Sequence, residues 1–228
     1  MATHNERLSA EQLSQATARQ LTALKKIEEH PSEVVIGIDE VGCGPWAGPI
    51  SIGVAVMPKK WRHKDVKDSK ATKLSARAGI VKNAIIPNAL FYAVLSAPST
   101  DIDRYGLGVI RRNLTESAGI MARLRFPGAL LVQDGVDPVP IDGTFKNIIF
   151  LPKADALVPA VSAASILAKN ERDTFMQCVA HPAFPQYDFE HNMGYRNIKH
   201  ELALKKDGPC PYHRRSFSPV KKLLLATG

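Results

Sequence analysis

Apolar positions in this chain follow two rhythms. Consecutive, often β-branched runs occur at Val34-Val35-Ile36-Gly37-Ile38, Ile50-Ser51-Ile52-Gly53-Val54-Ala55-Val56-Met57, Phe91-Tyr92-Ala93-Val94-Leu95-Ser96, Ala129-Leu130-Leu131-Val132 and Ile148-Ile149-Phe150-Leu151. Such short runs predict buried strands. Elsewhere the apolar residues recur every three or four positions and predict helices. Leu13, Ala16, Leu21, Leu24 and Ile27 predict a helix over 9–29, with Ser9 and Gln12 as a capping box and His30-Pro31 as its stop. Ser75 is expected to cap a short helix running to about residue 84. Ile102, Leu107, Val109, Ile110, Leu114, Ala118 and Met121 form a stripe over 101–125, which Gly106 and Gly108 weaken. A small-residue helix is predicted over 157–179, and a short one over 197–206.

The segment Gly42-Cys43-Gly44-Pro45-Trp46-Ala47-Gly48-Pro49 can continue neither a strand nor a helix. It is short enough to make the strands on either side antiparallel neighbours. Strands first, then strands interleaved with helices, predict an α/β fold: a mixed sheet flanked by helices. Residues 1–31 read as a helical appendage, 32–180 as the α/β domain and 181–228 as a C-terminal helical extension.

Charge adds a partner to this picture. The 228 residues carry a formal net charge of +8, which favours a polyanion, nucleic acid first. Cys43, Cys178 and Cys210 are far apart and form no CxxC pair, so neither a disulfide framework nor a zinc site is indicated and a reduced, cytoplasmic setting is expected. The first residues lack the apolar core of a signal peptide. No apolar run approaches the ~20 residues of a membrane span.

The chemistry lies where the strands end. Asp39-Glu40 closes the first run, Asp134 the fourth, and Asp155 follows the fifth. Neighbouring strands would bring these carboxylates to one edge, where they would repel one another strongly. Divalent cations with a preference for oxygen ligands, Mg²⁺ or Mn²⁺, relieve that repulsion. A two-metal site sets the ions ~3.5–4 Å apart around a scissile phosphate. Lys and Arg would then hold a phosphate backbone.

Two other chemistries fail on local grounds. Gly42-Cys43-Gly44-Pro45-Trp46-Ala47 fits a loose dinucleotide fingerprint, with Asp65 or Asp68 at about the right distance, but that fingerprint opens a helix and Pro45 and Gly48-Pro49 argue for none. Cys43 is a poor nucleophile, because the carboxylates beside it raise a thiol pKa. His191, His200 and His213 lack metal-ligand spacing.

Taken together, these motifs resemble the ribonuclease HII family over about residues 34 to 220. The resemblance rests on Gly37-Ile38-Asp39-Glu40-Val41-Gly42-Cys43-Gly44-Pro45-Trp46-Ala47-Gly48-Pro49, then Asp68-Ser69-Lys70 and Lys73-Leu74-Ser75. Asp134-Gly135 follows, then Asp155 with Ala163-Ala164-Ser165-Ile166-Leu167-Ala168-Lys169. Tyr187-Asp188-Phe189, His191, Gly194-Tyr195, His200 and His213-Arg214-Arg215-Ser216-Phe217 complete it. It implies a ribonuclease H-like fold and metal-dependent cleavage of the RNA strand of RNA·DNA hybrids. It also implies nicking 5′ to a single ribonucleotide in duplex DNA, leaving 3′-hydroxyl and 5′-phosphate ends.

By the same resemblance Asp39, Glu40, Asp134 and Asp155 hold Mg²⁺ or Mn²⁺, with Asp39 bridging. Gly42, Cys43 and Gly44 form the loop that reads the 2′-hydroxyl, which separates RNA from DNA. Tyr195, ahead of Tyr187, is the expected sugar-stacking tyrosine. Lys70, Ser165, Lys169 and Arg215 are expected to contact substrate. A monomer is expected, and docking of the tail on a sliding clamp is left open. Cys43 stands where the family usually has Arg; both glycines remain, so close backbone approach survives. Arg196 is expected to return some of the lost charge. The competing reading is a nucleic-acid-binding homologue with reduced turnover or altered junction preference, marked by Cys43.

Overall fold

The computed structural model describes residues 17–66, 74–135 and 147–226. The first described helix, α1, spans Ala18–Glu29. Its capping box is formed by Thr17 and Gln20: Thr17 Oγ1 accepts from the Gln20 N–H at 3.3 Å, and Gln20 Oε1 accepts from the Thr17 N–H at 2.8 Å. The expected Ser9–Gln12 box lies outside the described residues. His30, restricted by Pro31, ends the helix in extended backbone.

The strands are β1 (Val34–Val41), β2 (Ile50–Pro58), β3 (Phe91–Ala97), β4 (Leu130–Asp134) and β5 (Ile148–Leu151). They form one sheet in the order β3-β2-β1-β4-β5. β2 runs antiparallel to β1 and β3, whereas β1, β4 and β5 are parallel. The sheet is therefore mixed, and the C-terminal ends of β1, β4 and β5 share one edge.

Between β2 and β3 lies α2 (Leu74–Ile80), continued by a π turn over Val81–Ile85. The expected Ser75 cap lies outside what is described, as does the chain just before Leu74. The predicted helix over 101–125 is two helices, α3 (Ser99–Tyr105) and α4 (Leu107–Arg125), parted at Gly106 with φ of 85°. The apolar stripe restarts after that break. Leu107, Ile110, Leu114, Ala118 and Ala122 face the sheet, while Val109 and Met121 fall out of phase and are exposed.

Asp155 does not close a strand. β5 ends at Leu151, Lys153 takes a left-handed conformation, and Asp155 lies in the short helix α5 (Ala154–Leu157). The long helix α6 (Pro159–Phe175), extended by a π turn over Met176–Ala180, crosses the sheet. After it come α7 (Phe189–Asn192), α8 (Ile198–Asp207) and α9 (Ser218–Ala226).

Strand alternation sorts β1 between two cores. Val35 joins the core beneath α6, with Ala160, Ala163 and Ala164, while Ile36 and Ile38 join the core beneath α4. The α6 helix lies very close. A Cβ on Gly37 would stand 2.2 Å from the Ala160 carbonyl carbon, and one on Gly53 would stand 2.1 Å from the Ala164 oxygen. Only glycine admits that approach. A third core joins Trp46 and Ala47 to Tyr187, Phe189, Leu204 and Val220, tying the C-terminal region to the loop after β1. Among the described residues no helix is long and apolar enough to cross a membrane.

Candidate active site

Asp39 lies on the α6 face of β1. It is 7% exposed. Its carboxylate accepts the Ser165 hydroxyl hydrogen bond from α6, and its Oδ1 accepts from the Glu40 N–H at 2.8 Å. Asp134, at the end of neighbouring β4, accepts from the Ala154 N–H at 2.6 Å, and so fixes the start of the helix that carries Asp155. Ser162 anchors that helix from α6 by donating to the Asp155 carbonyl. Burial first, then the charges of Asp134 and Asp155, push the Asp39 carboxyl up to about 7, against the two hydrogen bonds that lower it. The three aspartates and Ser165 are thus brought together.

Glu40, the next residue, turns to the other face. Its Oε1 accepts from Arg111 Nη1 of α4 at 3.0 Å and from the Cys43 thiol at 3.6 Å. Burial and the Glu40 charge push the Cys43 thiol up to about 12, so it is held as a thiol and not as a nucleophilic thiolate.

The loop after β1 has few regular partners for its carbonyls, and two buried arginines take them up. Arg214 donates to the carbonyls of Gly42 (2.6 Å), Cys43 (3.1 Å), Gly48 (3.0 Å) and Pro49 (3.0 Å). Arg172 donates to those of Pro49 (2.9 Å), Ala47 (3.1 Å) and Met193 (3.0 Å). Burial lowers both guanidinium pKa values, Arg214 to about 10. Sequence reasoning singled out neither arginine. The signal was present in the loop itself: a Gly/Pro segment leaves carbonyls without ladder partners, and buried carbonyls demand donors.

Tyr195 is exposed and lies beside Gly44; a Cβ there would be 3.7 Å from Tyr195 Cε1. Tyr187, in contrast, is buried and its hydroxyl donates to the Gly208 carbonyl. Lys169 Nζ lies 3.0 Å from Asp173 Oδ2, an oxygen shared with Arg77 at 2.8 Å. Arg215 is exposed, and its backbone N–H donates to Asp103. Lys70 lies outside the described residues. Arg196 is exposed; its Nε donates to Glu201 Oε2 at 3.1 Å and its guanidinium lies 5.9 Å over the Trp46 ring. Arg111 pairs with Glu40, a contact that the sequence pattern does not predict.

Fold and site together define a ribonuclease H-like α/β protein with a carboxylate centre at one sheet edge. The model of the ribonuclease HII family matches residues 36–220. Ribonuclease HII of Verminephrobacter eiseniae is 38% identical over 196 residues, covering 86% of this chain and 90% of that protein. Among solved structures, ribonuclease H2 from Pyrococcus horikoshii OT3 is similar with a TM-score of 0.67 and 26% identity, over 85% of this chain and 98% of that one. The Bst-RNase HIII complex with Mn²⁺ shares the fold, with a TM-score of 0.71 at 20% identity over 96% of this chain and 81% of that one.

The chain belongs to the ribonuclease HII family. It is a ribonuclease H, an endoribonuclease that hydrolyses phosphodiester bonds in dependence on divalent metal.

Proposed function

We propose that the chain cleaves the RNA strand of RNA·DNA hybrids and nicks duplex DNA 5′ to a single embedded ribonucleotide, leaving 3′-hydroxyl and 5′-phosphate ends. The observation that carries this reading is the crowding of Asp39, Asp134 and Asp155 at the sheet edge, beside the Gly42-Cys43-Gly44 loop. A carboxyl raised to about 7 by burial and by two like charges is a group that gains from a cation. The all-oxygen donor set suits Mg²⁺ or Mn²⁺. Asp39, Asp134 and Asp155 would hold it, and Glu40 joins from the other face, where Arg111 shares it. Divalent cations in such a site supply polarisation of the phosphate and activation of the attacking water.

The protein's own residues do the rest. Ser165 and the Glu40 N–H fix the Asp39 carboxylate, so its position is set before substrate arrives. Arg214 holds the Gly42-Cys43-Gly44 loop by its carbonyls, giving rigid backbone against which a 2′-hydroxyl can be read. Tyr195, exposed beside Gly44, supports a stacking role on the neighbouring sugar; Tyr187 is packed in the core. The ion pair of Lys169 with Asp173 favours a structural role for that lysine, while exposed Arg215 is open to a phosphate.

The test is cleavage of a labelled DNA duplex holding one ribonucleotide, with Mg²⁺, with Mn²⁺ and with chelator, beside Asp39→Asn and an all-DNA duplex. A metal-dependent nick 5′ to the ribonucleotide, lost in the variant and absent from all-DNA, is expected. Tight binding with no nick in either metal would refute the reading and favour a binding protein altered at Cys43.

A further inference from the structure

Two histidines that the site does not use form a buried chain behind Tyr195. His200 and His213 are 0% and 1% exposed, and their Nε2 atoms are 2.9 Å apart. At one end the Cys210 N–H donates to His213 Nδ1 at 3.0 Å. At the other, His200 Nδ1 lies 2.9 Å from the Tyr195 carbonyl oxygen.

The two ends determine every proton between them. A backbone N–H can only donate, so His213 Nδ1 carries a lone pair and its hydrogen sits on Nε2. A carbonyl can only accept, so His200 Nδ1 carries the hydrogen and its Nε2 the lone pair. The Nε2 contact then has one donor, His213, and one acceptor, His200. A second proton on either ring would set N–H against N–H. Burial lowers both histidines below their ordinary value, and the facing His200 ring lowers His213 further, as the neutral pair requires.

The surroundings agree. Tyr187, Phe189 and Trp46 pack around His200, and Tyr187 and Phe189 also pack around His213. The Cys210 thiol lies 3.2 Å from His213 Nδ1. Arg215 is the cation that acts on His213. No carboxylate is among the groups that shift either histidine.

The chain ends on the segment that faces the loop. The Gly194 carbonyl accepts from the Trp46 and Ala47 N–H groups at 2.8 and 3.3 Å. A Cβ on Gly194 would lie 2.3 Å from the Ala47 oxygen. Gly194 is therefore pinned to the loop after β1, and Tyr195, the next residue, is held through its carbonyl by His200.

We propose that His200 and His213 act as positioning residues for substrate recognition: a relay of two neutral imidazoles, of fixed tautomer, that holds the Tyr195 backbone so that its exposed ring stands beside Gly44. This rests on the reading of Tyr195 as a substrate contact.

Two measurements on the full chain test it. Long-range proton–nitrogen correlation NMR of ¹⁵N-histidine-labelled protein is expected to show His200 protonated at Nδ1 only and His213 at Nε2 only. Kinetics on the single-ribonucleotide duplex compare His200→Phe, which removes the donor to Tyr195, with His200→Asn, whose amide nitrogen falls near the place of Nδ1. His200→Phe is expected to raise KM about three- to tenfold, the value of one ordinary hydrogen bond, with kcat little changed. His200→Asn should restore most of the loss. Tyr195→Ala should raise KM at least as much, and His200→Phe added to it should cost nothing further.

A cationic ring or the opposite tautomers would overturn the relay. Additive losses would overturn the positioning role, because His200 would then act elsewhere. An unchanged KM in Tyr195→Ala would overturn the substrate contact, and the positioning role with it, while NMR would report the tautomers independently.

Discussion

Asp39→Asn is expected to make the protein more stable when divalent cations are absent. Asp39 is 7% exposed, and burial, with Asp134 and Asp155, pushes its carboxyl from 3.8 to about 7. The folded state therefore prefers this group protonated. Below about pH 4 it is protonated in the folded and unfolded chain alike, and its environment costs nothing. As pH rises from about 4 to 7 the unfolded chain gives up the proton while the fold retains it, so stability is progressively lost; above 7 the full cost is present. About three pK units at ~1.4 kcal/mol each give about 4 kcal/mol. Asparagine removes the charge and keeps the shape. Its amide must also face one of the two donors, Ser165 or the Glu40 N–H, which returns about 1–2 kcal/mol of the gain. The net gain of about 2–3 kcal/mol raises Tm by about 4–12 °C in a chain of this size. The assay is thermal unfolding by circular dichroism in chelator at pH 8 and pH 4, repeated at pH 8 with Mg²⁺. The variant should melt higher at pH 8, the advantage should vanish at pH 4, and Mg²⁺ should raise the wild type and not the variant. Equal or lower melting of the variant at pH 8 in chelator, or the same increment at both pH values, would refute the reasoning.

Two further substitutions probe how the site is held. Gly37→Ala places a Cβ 2.2 Å from the Ala160 backbone and should cost about 3 kcal/mol or more; Gly79→Ala, with nothing within 4 Å, is the harmless control, and urea midpoints compare them. Arg214→Met keeps much of the volume but strips the donors from four loop carbonyls, so it should cost about 2–4 kcal/mol and lower kcat/KM more than Arg215→Met does; urea unfolding and cleavage kinetics read both effects.

Much of the fold was legible because buried strands announce themselves locally. The five apolar runs became β1 to β5, the predicted antiparallel neighbours pair from Val34↔Pro58 to Val41↔Ser51, and the sheet is mixed as expected. The misreadings lie where a local rule meets a neighbour. The stripe over 101–125 predicts one helix, but Gly106, at a positive φ of 85°, restarts the phase and leaves Val109 and Met121 outside. The pattern predicts Asp155 at a strand end; Lys153 turns the chain so that the acid arrives from a helix. In the His-Arg-Arg-Ser-Phe segment the sequence offered two arginines of equal chemistry. Nothing local distinguishes Arg214, buried against the loop, from Arg215 in solvent, because the distinction depends on carbonyls more than 160 residues away along the chain. The histidine pair was hidden for the same reason: its partners are 13 residues apart and meet only through tertiary packing.

Adjacency of Asp39 and Glu40 imposes the final constraint. Successive side chains of a strand point to opposite faces, so Asp39 meets Ser165 of α6 while Glu40 meets Arg111 of α4. Two such acids can serve one centre only where the strand ends and both faces open to the same solvent edge. The sequence provides that end two residues later, at Gly42, whose φ of 93° turns the chain away. A Cβ at Gly42 would lie 2.4 Å from Arg172 Nε, so the turn is also seated on the buried guanidinium. On the proposed reading, substrate that draws Glu40 into the centre does so in competition with Arg111. That arginine places a positive charge 3.0 Å from the Glu40 carboxylate.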